Sequence, residues 1–150
     1  MAPARGKIQP CRAPTVKRLL TQILMPEPTS AKKKILVVDD EPLVCETIGM
    51  LLSFEGHEVV PAGSGPEALA LFAKDRFDLV ITDYTMPGMK GDELALAVKT
   101  LISDQPVIMI TAHGDSLKSS GRLLTGVDQL VGKPFQLADL REAIQKATNR

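Results

Sequence analysis

Tryptophan is absent from this chain, tyrosine occurs once, and aromatic residues make up only 3 % of the sequence. Surfaces that stack nucleic-acid bases need aromatic platforms, so the composition argues against a base-stacking nucleic-acid binder. No apolar run approaches the roughly 20 residues that cross a bilayer, which argues against a helical membrane span. The two cysteines, Cys11 and Cys45, lie far apart and form neither a CxxC pair nor a Cys/His metal pattern. They read as reduced thiols of a cytoplasmic protein. A secretory signal would need a longer apolar core and a small-residue cleavage site, and neither is present. Serine is missing before Ser30, which speaks against an organelle transit peptide.

What is present divides the 150 residues in two. The overall composition, 44 % hydrophobic and 24 % charged, is that of an ordinary soluble protein with one domain. The net charge of zero hides an asymmetry. Residues 1–34 carry eight basic residues against the single acid Glu27, a charge of +7, whereas residues 35–150 carry ten basic and seventeen acidic residues, a charge of −7. Five of the eleven prolines fall at Pro3, Pro10, Pro14, Pro26 and Pro28, where fixed φ angles and missing N–H donors leave little scope for packing. Residues 1–33 therefore read as a basic, proline-rich, disordered leader. Only Thr15 to Met25 has helical spacing, with Val16, Leu19, Leu20, Ile23 and Leu24 on one side. A disordered tail, or a translation start at Met25, explains this leader better than targeting does.

From residue 34 the pattern becomes regular. Ile35–Val38, Glu58–Ala62, Phe77–Thr82, Val107–Thr111 and Asp128–Val131 are short apolar runs that predict strands. Pro42–Glu55, Pro66–Lys74, Asp92–Ile102, Ser116–Leu124 and Leu137–Thr148 predict helices, with Gly56 placed to stop the first. Strands alternating with helices imply an α/β fold: a five-stranded parallel sheet with helices on both faces. Right-handed crossovers leave few topologies, among which the flavodoxin-like order 2-1-3-4-5 is a common one.

Ligands of open α/β sheets bind outside the carboxyl ends of the strands. The residues there are Asp39, Asp40 and Glu41 after the first strand and Asp83 after the third. Thr111 ends the fourth strand, and Lys133 with Pro134 follows the fifth. Crowded carboxylates repel and need a cation or a lysine to offset them. Oxygen ligands that leave room for water favour Mg²⁺, and an ammonium beside a hydroxyl suits a phosphoryl group. A carboxylate can attack phosphorus to give an acyl phosphate. Each residue taken singly has a plainer reading. Asp40 could cap the helix at Pro42, Asp83 could form a turn, Thr111 could be a strand residue, and Lys133 a solvated charge. Jointly, four accidents on one edge would be required.

The motifs ILVVDDEP (35–42), LVITDYTMPGMKG (79–91), VIMITAH (107–113) and VGKPF (131–135) resemble, in order and spacing, the response regulator receiver domain of two-component signalling. The resemblance covers residues 34–148 and takes residues 34–150 as the receiver domain, similar to the chemotaxis regulators. It implies that Asp83 accepts a phosphoryl group from a histidine kinase, a histidine phosphotransfer protein or a small phosphodonor. It implies that Asp39, Asp40, Asp83 and the backbone carbonyl of Thr85 hold Mg²⁺, that Lys133 pairs with Asp83 and then with its phosphate, and that Thr111 moves onto a phosphoryl oxygen. It also implies a cis peptide bond before Pro134. Thr85 and His113 occupy positions that tune phosphate lifetime in the family, although a plain exposed histidine is the commoner reading of His113. Two residues depart from the pattern. Leu130 stands where the family's switch aromatic is usual, which puts the usual threonine–aromatic coupling in question. Lys90 stands where many relatives carry an acid.

The function implied is a phosphoacceptor switch rather than an enzyme, with only self-catalysed phosphotransfer and autodephosphorylation. The sequence stops after the last receiver helix, so output is expected through a downstream protein target, without an output domain and without specific nucleic-acid binding. The alternative is a receiver-like interaction module that no longer takes phosphate, which Leu130 favours and the complete acid–threonine–lysine set opposes. A phosphatase with an aspartyl intermediate would need a second acid two residues after the nucleophile, and Thr85 occupies that position.

Overall fold

The aliphatic runs form the centre of the sheet because they have apolar side chains to offer on both faces. The computed structural model describes residues 32–112 and 126–149. In chain order the elements are β1 (Lys34–Val38), α1 (Pro42–Phe54), β2 (Glu58–Ala62), α2 (Gly65–Lys74), β3 (Leu79–Asp83), α3 (Gly91–Leu101), β4 (Val107–Thr111), β5 (Gln129–Gly132) and α4 (Leu137–Thr148). The leader through residue 31, and the helix expected over 116–124, lie outside the described residues. The strands form one parallel sheet in the order β2-β1-β3-β4-β5, the topology expected from the sequence.

Period-two alternation sorts the core into two layers. Ile35, Val37, Leu79, Ile81, Ile108 and Ile110 face one side, where Ile48 and Leu52 of α1 and Leu140 and Ile144 of α4 cover them. Leu36, Val38, Val80 and Val107 face the other, against Ala68 and Phe72 of α2 and Leu94 and Val98 of α3. The β1, β3 and β4 residues in both layers are 0–1 % exposed. This is why those strands read as unbroken apolar runs rather than as alternating ones.

The helix ends follow local chemistry. Gly56 takes φ +91°, Gly56 N–H donates to Ser53 O at 3.0 Å and His57 N–H to Leu52 O at 3.0 Å. This pairing terminates α1 by the left-handed glycine route. At α2, Ser64 Oγ accepts from Glu67 N–H at 3.3 Å, and the Glu67 carboxylate accepts from Gly63 N–H at 2.9 Å. The third strand begins two residues later and ends one residue later than its sequence predicts. Phe77 leaves the strand to stack on Phe72, with centroids 6.3 Å apart, and the Asp78 carboxylate accepts from Lys34 N–H at 2.8 Å. Asp83 consequently belongs to β3 itself, opposite Ile110.

His57 ties the start of the described chain to the end of α1. Its ring is buried, and Nδ1 accepts from Lys33 N–H at 3.1 Å. Burial, then the Lys33 charge, hold its pKa below the ordinary 6.5. A histidine whose pKa is depressed by folding stabilises the fold above its unfolded pKa and loses that contribution as pH falls below it, by at most about 1.4 kcal/mol per pH unit. We predict that wild type loses more stability between pH 7 and 5 than His57→Asn, which keeps an acceptor oxygen and does not titrate. Urea unfolding midpoints of the two proteins at both pH values measure the difference, and parallel pH profiles would refute it.

Candidate functional site

β1 and β3 are neighbours, so the residues at their carboxyl ends meet. Asp39 follows β1 directly and is 3 % exposed. Its N–H donates to Ala62 O at 3.1 Å, and its Oδ1 accepts from Glu41 N–H at 2.9 Å. These two bonds fix the turn into α1. The N-cap of that helix is Glu41, with no side-chain capping bond, so Asp40 does not cap it. Asp40 stands exposed beside Asp39, while Asp83 at the end of β3 is 8 % exposed. One carboxylate oxygen from each of Asp39, Asp40 and Asp83 lies within 4.8 Å of the others.

Among the described residues, Lys133 faces this cluster. Lys133 Nζ lies 3.1 Å from Asp83 Oδ1 and 3.7 Å from Asp39 Oδ2. Its backbone is anchored, because Lys133 N–H donates to Thr111 O at 2.8 Å. The Lys133–Pro134 peptide bond is cis. Thr111 itself is 1 % exposed at the end of β4, one residue beyond Ile110, the register partner of Asp83. Thr85 is exposed in the loop after β3, and Leu130 is half-buried on β5, paired in register with Met109. Lys90 Nζ sits 5.8 Å from the centroid of the Tyr84 ring, turned to an aromatic face. His113 lies outside the described residues.

The electrostatics follow from crowding. Burial, opposed by the Glu41 N–H bond and reinforced by the Asp83 charge, raises the Asp39 pKa from 3.8 to about 6. Burial works against the Lys133 ammonium, yet the Asp83 hydrogen bond and charge, with Asp39 and Glu41, hold its pKa above the usual lysine value. Among the described residues, three carboxylates against one ammonium leave excess negative charge in a pocket whose metal-ligating atoms are all oxygen. That donor set fits a hard divalent cation, and Mg²⁺ in particular, because the exposed side at Asp40 leaves room for water ligands.

Two residues to which sequence reasoning gave no role shape the site. A Cβ at Gly91 would collide with Asp83 O, and Gly91 N–H donates to Tyr84 O at 2.9 Å. The first turn of α3 thus rests on the backbone that carries Asp83. Cys45 packs beneath Asp39, with Sγ 3.4 Å from Asp39 O and 3.6 Å from Ala62 O. Burial, and then the Asp39 charge, raise its thiol pKa. A glycine at a helix start and a lone cysteine carry no signal of such contacts in one sequence.

The chain belongs to the response regulator receiver domain family, whose family model matches residues 35–145. It is 40 % identical over 119 residues to the probable transcriptional regulator ycf27 of Cyanophora paradoxa, covering 79 % of this chain and 49 % of that protein. It is 38 % identical over 107 residues to the response regulator MprA of Mycolicibacterium vanbaalenii, covering 71 % and 46 %. The chain thus spans about half the length of the curated relatives it matches. Among solved structures, the receiver domain protein of Clostridium thermocellum aligns with TM-score 0.72 and 36 % identity, covering 78 % of this chain and 94 % of that one. The response regulator TrrA of Thermotoga maritima in complex with Mg²⁺-BeF aligns with TM-score 0.70 and 38 % identity, covering 77 % and 98 %. Receiver domains are signalling modules rather than classical enzymes, and they bind Mg²⁺ in their acidic pocket.

Two predictions follow from the geometry. Asp39 has a folded pKa above its ordinary one, so its ionised form costs stability once pH exceeds about 4, and the cost grows until pH passes about 6. Asp39→Asn in a chelating buffer should therefore stabilise the fold at pH 7.5 by on the order of 1–3 kcal/mol, and much less at pH 4.5. Urea unfolding at the two pH values checks the sign. Gly91→Ala should destabilise the domain by about 1–3 kcal/mol, because the new methyl displaces the Asp83 carbonyl. Chemical shifts of the Asp83 and Tyr84 amides should move with it, and unchanged shifts would refute that contact.

Proposed function

We propose that the domain is a phosphoacceptor switch in which Asp83 receives the phosphoryl group. The observation that carries this reading is Lys133 Nζ at 3.1 Å from Asp83 Oδ1, beside two further carboxylates. A carboxylate oxygen of Asp83 supplies the electron pair of the new O–P bond. The bond from phosphorus to the donor breaks with its pair leaving on the donor, an imidazole nitrogen of a phosphohistidine or the acyl oxygen of acetyl phosphate. Asp39, Asp40, Asp83 and the backbone carbonyl of Thr85 would hold Mg²⁺, which offsets charge on the phosphoryl oxygens. The Lys133 ammonium, paired with Asp83 beforehand, passes to a phosphoryl oxygen without leaving the pocket. The Thr111 hydroxyl takes another, and its movement changes the sheet edge at β4.

Readout differs from the arrangement expected in the family, because Leu130 offers neither a ring nor a hydroxyl to couple to Thr111. The acyl phosphate is lost by attack of water, with exposed Thr85, and His113, at the positions that set its lifetime. The phosphodonor is a histidine kinase or histidine phosphotransfer protein in the cytoplasm, and the output is contact with a downstream protein. No described helix is long and apolar enough to cross a membrane.

Incubation with Mg²⁺ and acetyl phosphate should add the mass of one phosphoryl group by intact mass spectrometry, and Asp83→Asn should abolish the adduct. Lys133→Ala should slow its formation by roughly 10²-fold, the usual effect of removing one preorganised charge-stabilising group. A folded wild-type protein that takes no phosphoryl group from any donor would instead be a receiver-like interaction module.

A further inference from the structure

Thr82 is fully buried, one residue before Asp83. Alternation along β3 turns its side chain to the face of Val80, toward α2 and α3, and that of Asp83 to the face of Ile81. In register Thr82 lies between Val38 of β1 and Met109 of β4, both buried and apolar. A valine has the same shape, suits a strand equally well and has no hydroxyl to desolvate. Burying a hydroxyl in this layer therefore gives the packing nothing that valine would not. The hydroxyl instead donates to the carbonyl oxygen of Asp83, at 3.0 Å.

That carbonyl belongs to the peptide leading out of Asp83, and the other end of the same peptide is held as well. Tyr84 N–H donates to Ile110 O at 3.1 Å. The planar unit is thus held at its oxygen by Thr82 and at its nitrogen by β4, which fixes ψ of Asp83 and φ of Tyr84 together. The oxygen points at the first turn of α3, where the missing side chain of Gly91 leaves it room. Gly91 N–H in turn holds the next carbonyl, that of Tyr84, at 2.9 Å. A buried carbonyl deprived of a donor shifts toward another, and such a shift turns the Cα that carries the Asp83 carboxylate. The carboxylate tolerates little of this. Lys133 Nζ is 3.1 Å from its Oδ1, and an oxygen from each of Asp39 and Asp40 lies within 4.8 Å of one of its own. A nucleophile misplaced by about 1 Å loses much of its rate.

We infer that Thr82 is a positioning residue for the phosphoacceptor. From the opposite face of the sheet, its hydroxyl holds the Asp83–Tyr84 peptide and so aims the Asp83 carboxylate at Lys133 and at the incoming phosphorus. This role rests on the phosphoacceptor reading of Asp83, whereas the hold on the peptide does not.

Four full-length proteins separate the hydroxyl from the volume it occupies: wild type, Thr82→Ser, Thr82→Val and Thr82→Ala. Serine keeps the hydroxyl and loses the methyl, valine keeps the shape and loses the hydroxyl, and alanine lacks both. Intact mass spectrometry follows each with Mg²⁺ and acetyl phosphate, at a temperature where circular dichroism shows it folded. Thr82→Val and Thr82→Ala should take the phosphoryl group about tenfold more slowly than wild type, and Thr82→Ser within about twofold of it. Packing alone would sort the proteins by lost volume and leave Thr82→Val nearest to wild type. Without metal, the Tyr84 amide should exchange hydrogen about tenfold faster in Thr82→Val and Thr82→Ala than in the other two proteins. Thr82→Val at the wild-type rate, or Thr82→Ser as slow as Thr82→Val, overturns the positioning role. Equal Tyr84 exchange in all four proteins overturns the hold on the peptide, and the role with it. No adduct on folded wild type from any donor overturns the phosphoacceptor reading and the role that rests on it, while the exchange result still decides the hold.

Discussion

Three carboxylates share one small volume at the carboxyl edge of the sheet, opposed among the described residues by the Lys133 ammonium, and much of the surrounding structure serves to hold that arrangement. Charges so close repel, and a flexible site would relax by moving them apart. Here they cannot move far. Asp39 is fixed between Ala62 O and Glu41 N–H, Asp83 belongs to a fully buried strand, and Lys133 is tethered through its backbone to Thr111. The repulsion is therefore retained as a standing demand for positive charge, which suits the oxygen donors to a divalent cation.

The rigid surroundings explain why so many residues of small or apolar type matter to polar chemistry. Gly91 lets α3 approach the Asp83 carbonyl closely, and Cys45 fills the space under Asp39 without adding a charge. The two apolar layers of the sheet keep β1, β3 and β4 in register, and this register sets Asp83 opposite Ile110 and one step from Thr111. Site geometry in this domain is a property of strand order before it is a property of any loop.

Much of this was legible in the sequence, and the reasons differ by feature. The aliphatic runs had to be buried on both faces, which made a parallel sheet with helices on either side the natural solution. The acids, threonine and lysine announced the site because each fell at or just after the carboxyl end of an expected strand. Boundaries were less legible: Phe77 looked like a strand residue until its ring found Phe72, and Asp83 looked like a loop residue until pairing with β4 drew it into β3. Asp40 looked able to cap α1, whereas Glu41 holds that position without a side-chain bond.

The sequence by itself determined the class of fold, the family and the identity of the acids, since these depend on residue type, order and spacing along the chain. Only the tertiary structure decided that Asp39 is buried with a raised pKa while Asp40 is exposed, that Lys133 reaches both Asp83 and Asp39, and that Gly91 and Cys45 support the site. Those properties arise between residues far apart in sequence, where burial and distance are set by packing and no local pattern encodes them.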